Sequence, residues 1–169
     1  VAAEQPKGGL FVAGPVAIES VAISPDGSRV AGGAPDGTIF VWDTGTGQLM
    51  GPPLKGHTAD VSALTYSPDG AILASGSRDT NIVLWNTLTD QPIGQPLRGH
   101  TNSVFTRAFS PDGHVLASGG ADSNVRLWDV ASGTPIGPLD NGAWGTGVAF
   151  NPANPTTLVS GGWDGSVWA

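Results

Sequence analysis

Apolar residues alternate with small or polar ones over short stretches along the whole chain. Leu73-Ala74-Ser75-Gly76 reads as a strand, Ser77-Arg78-Asp79-Thr80-Asn81 as a tight turn, and Ile82-Val83-Leu84-Trp85-Asn86 as a second strand. Nearly the same text returns 43 residues later, ending Leu127-Trp128-Asp129, and 43 residues earlier, ending Ile39-Phe40-Val41-Trp42-Asp43. A fixed period of this size marks a repeat architecture. Each pair of strands follows another apolar stretch that stops at Ser-Pro-Asp-Gly, beginning at Ser24, Ser67 and Ser110. In that turn Pro presets φ, Asp bonds the backbone ahead of it, and Gly accepts positive φ. The fourth copy is degraded to Asn151-Pro152-Ala153-Asn154-Pro155.

Every unit thus holds three strands, a, b and c. A fourth, d, is expected at about 48–54, 91–97 and 134–139. These segments carry Pro52, Pro53, Pro92, Pro96, Pro135 and Pro138. Proline cannot donate to a ladder, so d belongs at the outer edge of each sheet. No stretch sustains a 3.6-residue period, so the fold class is all-β. The order along the chain is d, abcd, abcd, abcd, abc. The first d, at 10–13, aligns with Leu54-Lys55 and Leu97-Arg98.

At 169 residues the chain has the length of one domain with a real core. Its 26 Gly and 14 Pro sit at fixed places in the repeat, which reads as turns and not as disorder. With no cysteine, neither disulfides nor thiolate metal sites can hold the fold, and either redox compartment would suit it. The net charge of −7 is mostly turn chemistry: of 14 acidic residues only Glu4 and Glu19 are Glu, and among the Asp only Asp60, Asp90 and Asp140 fall outside repeat positions. Seven basic residues are too few for a phosphate-binding surface, so nucleic acid is not an expected partner. No apolar run has transmembrane length and no signal-peptide pattern opens the chain, so a membrane role is not expected and a cytoplasmic location is. The chain begins at Val1 and not Met, as a processed or excised chain would.

Gly56-His57, Ser67-Pro68-Asp69-Gly70, Ser75, Asp79 and Trp85-Asn86 recur in register as Gly99-His100, Ser110–Gly113, Ser118, Asp122 and Trp128-Asp129. With these elements at one spacing, residues 10–169 resemble a WD-repeat β-propeller, with text similar to bacterial WD-repeat regions appended to signalling ATPases or kinases. The resemblance implies four-stranded antiparallel blades at about 18–55, 61–98, 104–140 and 146–169. It also implies that strand d at 10–13 closes the last blade, behind an N-terminal tail at 1–9. Buried tetrads are implied at His57, Ser75, Asp79 and Trp85, and at His100, Ser118, Asp122 and Trp128. The first repeat departs, with Gly14 and Gly32 in place of His and Ser. The fourth has Ala143 for His and ends before its Trp, so the inner repeats are expected to be the more rigid. Four blades could close alone, pair with a second copy into eight, or belong to a longer regulatory protein.

Candidate chemistry is sparse. The Ser/His/Asp groupings superficially resemble a nucleophilic triad, but their repetition with Trp favours scaffold over catalysis. No phosphate loop, zinc spacing or calcium loop is present, so no enzyme activity, metal or cofactor is expected. The resemblance instead implies a scaffold for protein partners, or a self-assembling homo-oligomer. In the family the residue before the turn Asp faces the top surface. Here those residues are Pro35, Arg78, Ala121 and Trp163, and Arg78 and Trp163 are the binding candidates, with Trp144 in the degenerate loop as a third. Arg107 stands where Val21 and Leu64 stand in other repeats, so it needs a carboxylate or carbonyl partner across the blades or in the channel.

Overall fold

The computed structural model describes residues 11–140, 145–162 and 164–169. They form antiparallel sheets and no helix, so none of the described residues lies in a helix long and apolar enough to cross a membrane. The first sheet runs β1 (Ser20–Ile23), β2 (Arg29–Gly33), β3 (Thr38–Asp43) and β4 (Leu54–Lys55). The second runs β5 (Ala63–Tyr66), β6 (Ile72–Gly76), β7 (Ile82–Asn86) and β8 (Gln91–Pro92). The third is β9 (Val104–Phe109), β10 (Val115–Gly120), β11 (Asn124–Asp129) and β12 (Thr134–Asp140). The fourth is β13 (Gly145–Asn151), β14 (Asn154–Gly162) and β15 (Val167–Trp168).

The a–b turns follow from their residues. Ser67 Oγ donates to Asp69 Oδ1 at 2.5 Å and accepts from the Ile72 N–H at 2.9 Å, while Gly70 takes φ +73°. The Ser24 and Ser110 turns repeat this arrangement, with Gly27 and Gly113 at φ +72° and +76°. Asp26 is thereby held down at about 2 by the Ser24 hydroxyl and by Ser28.

The core lies between sheets. Leu64, Tyr66, Leu73 and Trp85 of the second blade pack on Ala22, Ala31 and Val41 of the first. Ala74, Ile82 and Leu84 of the second meet Val104, Leu116 and Trp128 of the third. Small residues set the spacing: a Cβ on Gly33 would stand 2.7 Å from Val61 Cγ1, and one on Gly76 2.9 Å from Val104 Cγ1. Hydrogen bonds cross at the same places, Ser20 Oγ to the Val61 carbonyl and Ser62 Oγ to the Val104 carbonyl, both 2.6 Å. Strands β1, β5, β9 and β13 touch in that order, and no comparable contact among the described residues joins β13 back to β1. The four blades therefore form an open arc.

Two sequence expectations need correction. The d strands at 48–54 and 91–97 are not continuous. In the first blade pairing survives at Leu49 with Trp42 and at β4, and in the second at β8 and at Leu97 with Ile82. Between these points lie Pro52, Pro53 and Pro96, which carry no amide proton for the ladder. The third d strand runs unbroken as β12 but takes a register shift between Leu127 and Trp128. The second correction concerns residues 10–13. Phe11–Ala13 do not add to the fourth sheet, which has three strands among the described residues. They lie against the first blade instead, where the Trp42 indole N–H donates to the Val12 carbonyl at 3.3 Å and the Phe11 and Trp42 rings sit 6.1 Å apart. Trp42 lacks a Ser beneath it because Gly32 stands there, so its N–H takes the nearest carbonyl.

At the b–c turns the residue directly after the Asp is left-handed: Gly37 and Gly165 in the outer blades, but Thr80 at φ +73° in the second and Ser123 at φ +64° in the third. A β-branched residue is strained there by ~1–2 kcal/mol. Thr80→Gly should raise stability by about 0.5–1 kcal/mol once the greater chain entropy of glycine is set against that strain. Chemical denaturation compares the two proteins, and equal or lower stability would show that the turn is not strained.

Candidate functional site

The b–c turns and the segments that lead into the a strands share one face of the arc. Beneath that face the second blade holds a relay of four side chains. Trp85 Nε1 donates to Ser75 Oγ at 2.8 Å, Ser75 Oγ lies 2.8 Å from His57 Nε2, and His57 Nδ1 lies 2.9 Å from Asp79. Asp79 also accepts the backbone N–H of Thr58 and of Asn81, each at 2.9 Å. The third blade repeats it: Trp128 to Ser118 and Ser118 to His100 at 2.8 Å, His100 to Asp122 at 3.0 Å, with the Thr101 N–H on Asp122 at 2.9 Å.

A neutral imidazole protonated at Nδ1 satisfies every member: Trp N–H to Ser, Ser O–H to His Nε2, His Nδ1–H to Asp. Protonation at Nε2 would remove the acceptor that the Ser uses. Burial pushes His100 below the ordinary histidine value of 6.5, against the pull of Asp122. Asp79 and Asp122 are both held below the usual carboxylate range: burial opposes this, but the Thr58 and Thr101 amides and the histidine rings outweigh it.

This chemistry binds strands and does not cleave substrates. Ser75 and Ser118 are fully buried, so no carbonyl can approach either Oγ. No three His, Asp or Glu side chains among the described residues are grouped to hold a metal ion. In the fourth blade Ser160 is buried without a His above it among the described residues, and Asp164 accepts from Ser166 N and Oγ. Trp168 faces Ser160 in the strand register, yet its indole donates to Ser166 at 2.9 Å.

The side chains that differ between repeats stand on the b–c face. Arg78 is 59% exposed, and its Nε lies 2.8 Å from Asp60 Oδ2. The Arg78 N–H also donates to the Asp60 carbonyl at 3.0 Å, which ties the turn to the segment entering β5. Asp60 is buried, and its Oδ1 has no hydrogen-bond partner. Nearby Glu19 on the first blade has its pKa raised by the adjacent Asp60 carboxylate, which favours a shared proton and opposes a second negative charge. At the equivalent turns Pro35 is exposed and Ala121 half-buried. Trp163 and Trp144 lie outside the described residues.

Asp60 was legible only as an acid outside the repeated turn positions, and nothing in its local pattern pointed to Arg78. Arg107 finds a carbonyl and not a carboxylate: its Nε donates to the Ala74 carbonyl of the second blade at 3.1 Å. Burial lowers its pKa well below the ordinary arginine value.

Stacked antiparallel blades with buried Trp–Ser–His–Asp relays define a β-propeller repeat protein, arranged here as four blades. The chain belongs to the WD domain, G-beta repeat family, whose model matches residues 10–43, 49–86, 91–129 and 146–168. The matches at 49–86 and 91–129 each open in a d segment and end in strand c of the following blade, so there the sequence unit straddles two sheets. Among solved structures the chain is similar to one described as "Structure of U3-55K", with 25% identity and a TM-score of 0.83 over 93% of this chain. The match covers 49% of that chain, so this protein spans about half its length. No curated protein matches.

The sign of the pKa shifts sets an acid profile. A histidine whose folded pKa is depressed contributes stability that is full above pH 6.5 and lost as pH falls through its folded value. Depressed carboxylates contribute stability that is full above their ordinary value of 3.8 and lost as pH falls through the folded value. Melting temperature should be flat from pH 6.5 up to the ordinary tyrosine value of 10.0, above which buried Tyr66 lowers it, and should fall below pH 6.5 and again below pH 4. His100→Asn should remove much of the first fall and keep the second; an unchanged profile would take His100 out of the acid response.

Replacement of a relay serine is a harsher test. Ser118→Ala leaves the buried Trp128 N–H and His100 Nε2 without partners and should cost about 2–4 kcal/mol in a denaturation measurement. A loss under 1 kcal/mol would mean that the relay is not what holds the blade.

Proposed function

We propose that the protein is a non-enzymatic scaffold that binds protein partners through its b–c face, with Arg78 as a contact residue. The observation that carries this reading is the Arg78–Asp60 pair. The relay and Asp60 fix the turn, and they lift a guanidinium that no other described b–c turn presents. With Nε occupied, the two terminal amino groups remain for a planar acceptor such as a carboxylate. Membership of the family supports scaffolding, because WD propellers generally mediate protein–protein interaction. Trp163 and Trp144 are further proposed contacts on the strength of their sequence positions. The seven basic residues against 14 acidic ones favour protein over nucleic acid as partner. No cofactor or membrane attachment enters the reading, and the cytoplasm is the proposed location.

A second reading is self-assembly of paired arcs. Its support is the apolar surface left at the two ends of the arc, where Val21 and Val167 are exposed.

Selection of peptides from a displayed library against the immobilised protein tests the first reading. Enriched peptides should carry a carboxylate and should weaken at least tenfold against Arg78→Gln, with melting temperature little changed. Peptides that bind Arg78→Gln as well as the parent protein would move the contact surface elsewhere.

A further inference from the structure

Most of the exposed large apolar side chains lie on the first and last blades, on outer d segments or in a c–d turn. Phe105 does not. It is 39% exposed on β9, the inner strand of the third blade, with β5 on one side and β13 on the other. A blade flanks it on each side, so its exposure does not come from an uncovered end.

Backbone pairing explains how the ring reaches solvent. In the first two blades strand a begins to pair with strand b at Ser20 and Ala63. In the third, pairing begins two residues earlier, at Val104, and Phe105 is left unpaired as a bulge between Val104 and Thr106. A bulge re-aims the side chain that it carries. One and two repeats earlier stand Ser62 and Glu19, so the aromatic ring is particular to the third blade. The Ser62 hydroxyl donates to the Val104 carbonyl at 2.6 Å, and the Val104 N–H donates to the Ser77 carbonyl at 3.1 Å. Ser77 is followed by Arg78 and Val104 by Phe105. One backbone hydrogen bond thus holds the two residues side by side at the start of β9, on the b–c face.

The charges around Arg78 show why it needs a neighbour. Its guanidinium already meets Asp60, and Glu19 of the first blade adds a second carboxylate beside that pair. An exposed ion pair contributes little by itself, and here an incoming carboxylate also faces two of its own sign. A partner held at this place requires an apolar contact as well, and Phe105 supplies the surface for it.

We propose that the b–c face takes an extended peptide segment with one carboxylate and an apolar side chain within two positions of it. The carboxylate meets the terminal amino groups of Arg78, and the apolar side chain packs on Phe105. Residues two apart on an extended peptide share a face about 6.6 Å apart, which suits two neighbouring contacts. Asp60 and Glu19 turn away acidic runs, so the partner is apolar and singly acidic. This rests on the Arg78 reading above and adds a second contact and a selectivity to it.

The displayed-library selection decides the matter when it is read with Phe105→Ser, which installs the residue of the preceding repeat. Enriched peptides should carry an aliphatic or aromatic residue within two positions of a single carboxylate. They should bind Phe105→Ser at least fivefold more weakly, with melting temperature little changed. Exchange of the peptide's apolar residue for serine should cost the parent protein at least fivefold and the Phe105→Ser protein less than twofold. That coupling arises when the two groups touch, and a general loss of stability does not mimic it. Peptides weakened by Arg78→Gln but not by Phe105→Ser, or without the coupling, overturn this inference and leave the Arg78 reading standing. Weakening by Phe105→Ser alone, by neither change, or a selection that enriches nothing overturns both. Enrichment of acidic runs without an apolar residue overturns the selectivity assigned to Asp60 and Glu19.

Discussion

In the two central blades, what stands on the b–c turn depends on where one proton sits on an imidazole. With the imidazole of His57 or His100 neutral and protonated at Nδ1, the indole, hydroxyl, ring and carboxylate form a chain in which each donor meets an acceptor. The two ends of that chain are far apart in character. The Trp end lies in the apolar contact between blades, and the Asp end holds the b–c turn through backbone amides. A polar network at such depth is costly when incomplete and stiffening when satisfied. It fixes strand c, the b–c turn and the segment entering the blade as one unit, so a side chain mounted on that turn has its position decided for it.

The contrast within the arc shows what the network contributes. In the first blade glycines replace the His and the Ser, and Trp42 turns to a backbone carbonyl and to the rings of Phe11 and Phe40. In the fourth, the sequence ends before the equivalent Trp, and the exposed Trp168 donates to the hydroxyl of its own turn. An indole N–H buried between blades must find an acceptor, and each blade offers whichever is nearest. The blades differ in how a common requirement is met, and only the two central ones meet it through the carboxylate that governs the exposed turn.

The repeat made most of the fold readable from the sequence, because a period-2 pattern with recurring Ser-Pro-Asp-Gly fixes strand ends, faces and turn types together. The relay was readable too, since His57, Ser75, Asp79 and Trp85 hold the same places as His100, Ser118, Asp122 and Trp128. What escaped was whatever depends on a neighbour more than on the local pattern. The broken d strands reflect prolines that interrupt a ladder already at an edge. The seat of Phe11–Ala13 on Trp42 reflects a missing Ser at Gly32. The partner of Arg78 is Asp60, eighteen positions away and outside any repeated motif. Arg107 was legible as an anomaly, but its carbonyl acceptor belongs to another blade. Repetition reports what all units share, and a side chain used once leaves no such trace.

The sequence unit and the structural unit are out of phase: the matched stretches at 49–86 and 91–129 each begin in the outer segment of one sheet and end in strand c of the next. Duplication of the coding stretch therefore inserts a whole blade without creating a new unmatched strand. However many units are added, the same two loose ends remain, one outer strand at the front and one three-stranded sheet at the back. Genetic growth and loss of such an array is thus neutral toward its ends, and ring size becomes a matter of curvature and not of strand arithmetic.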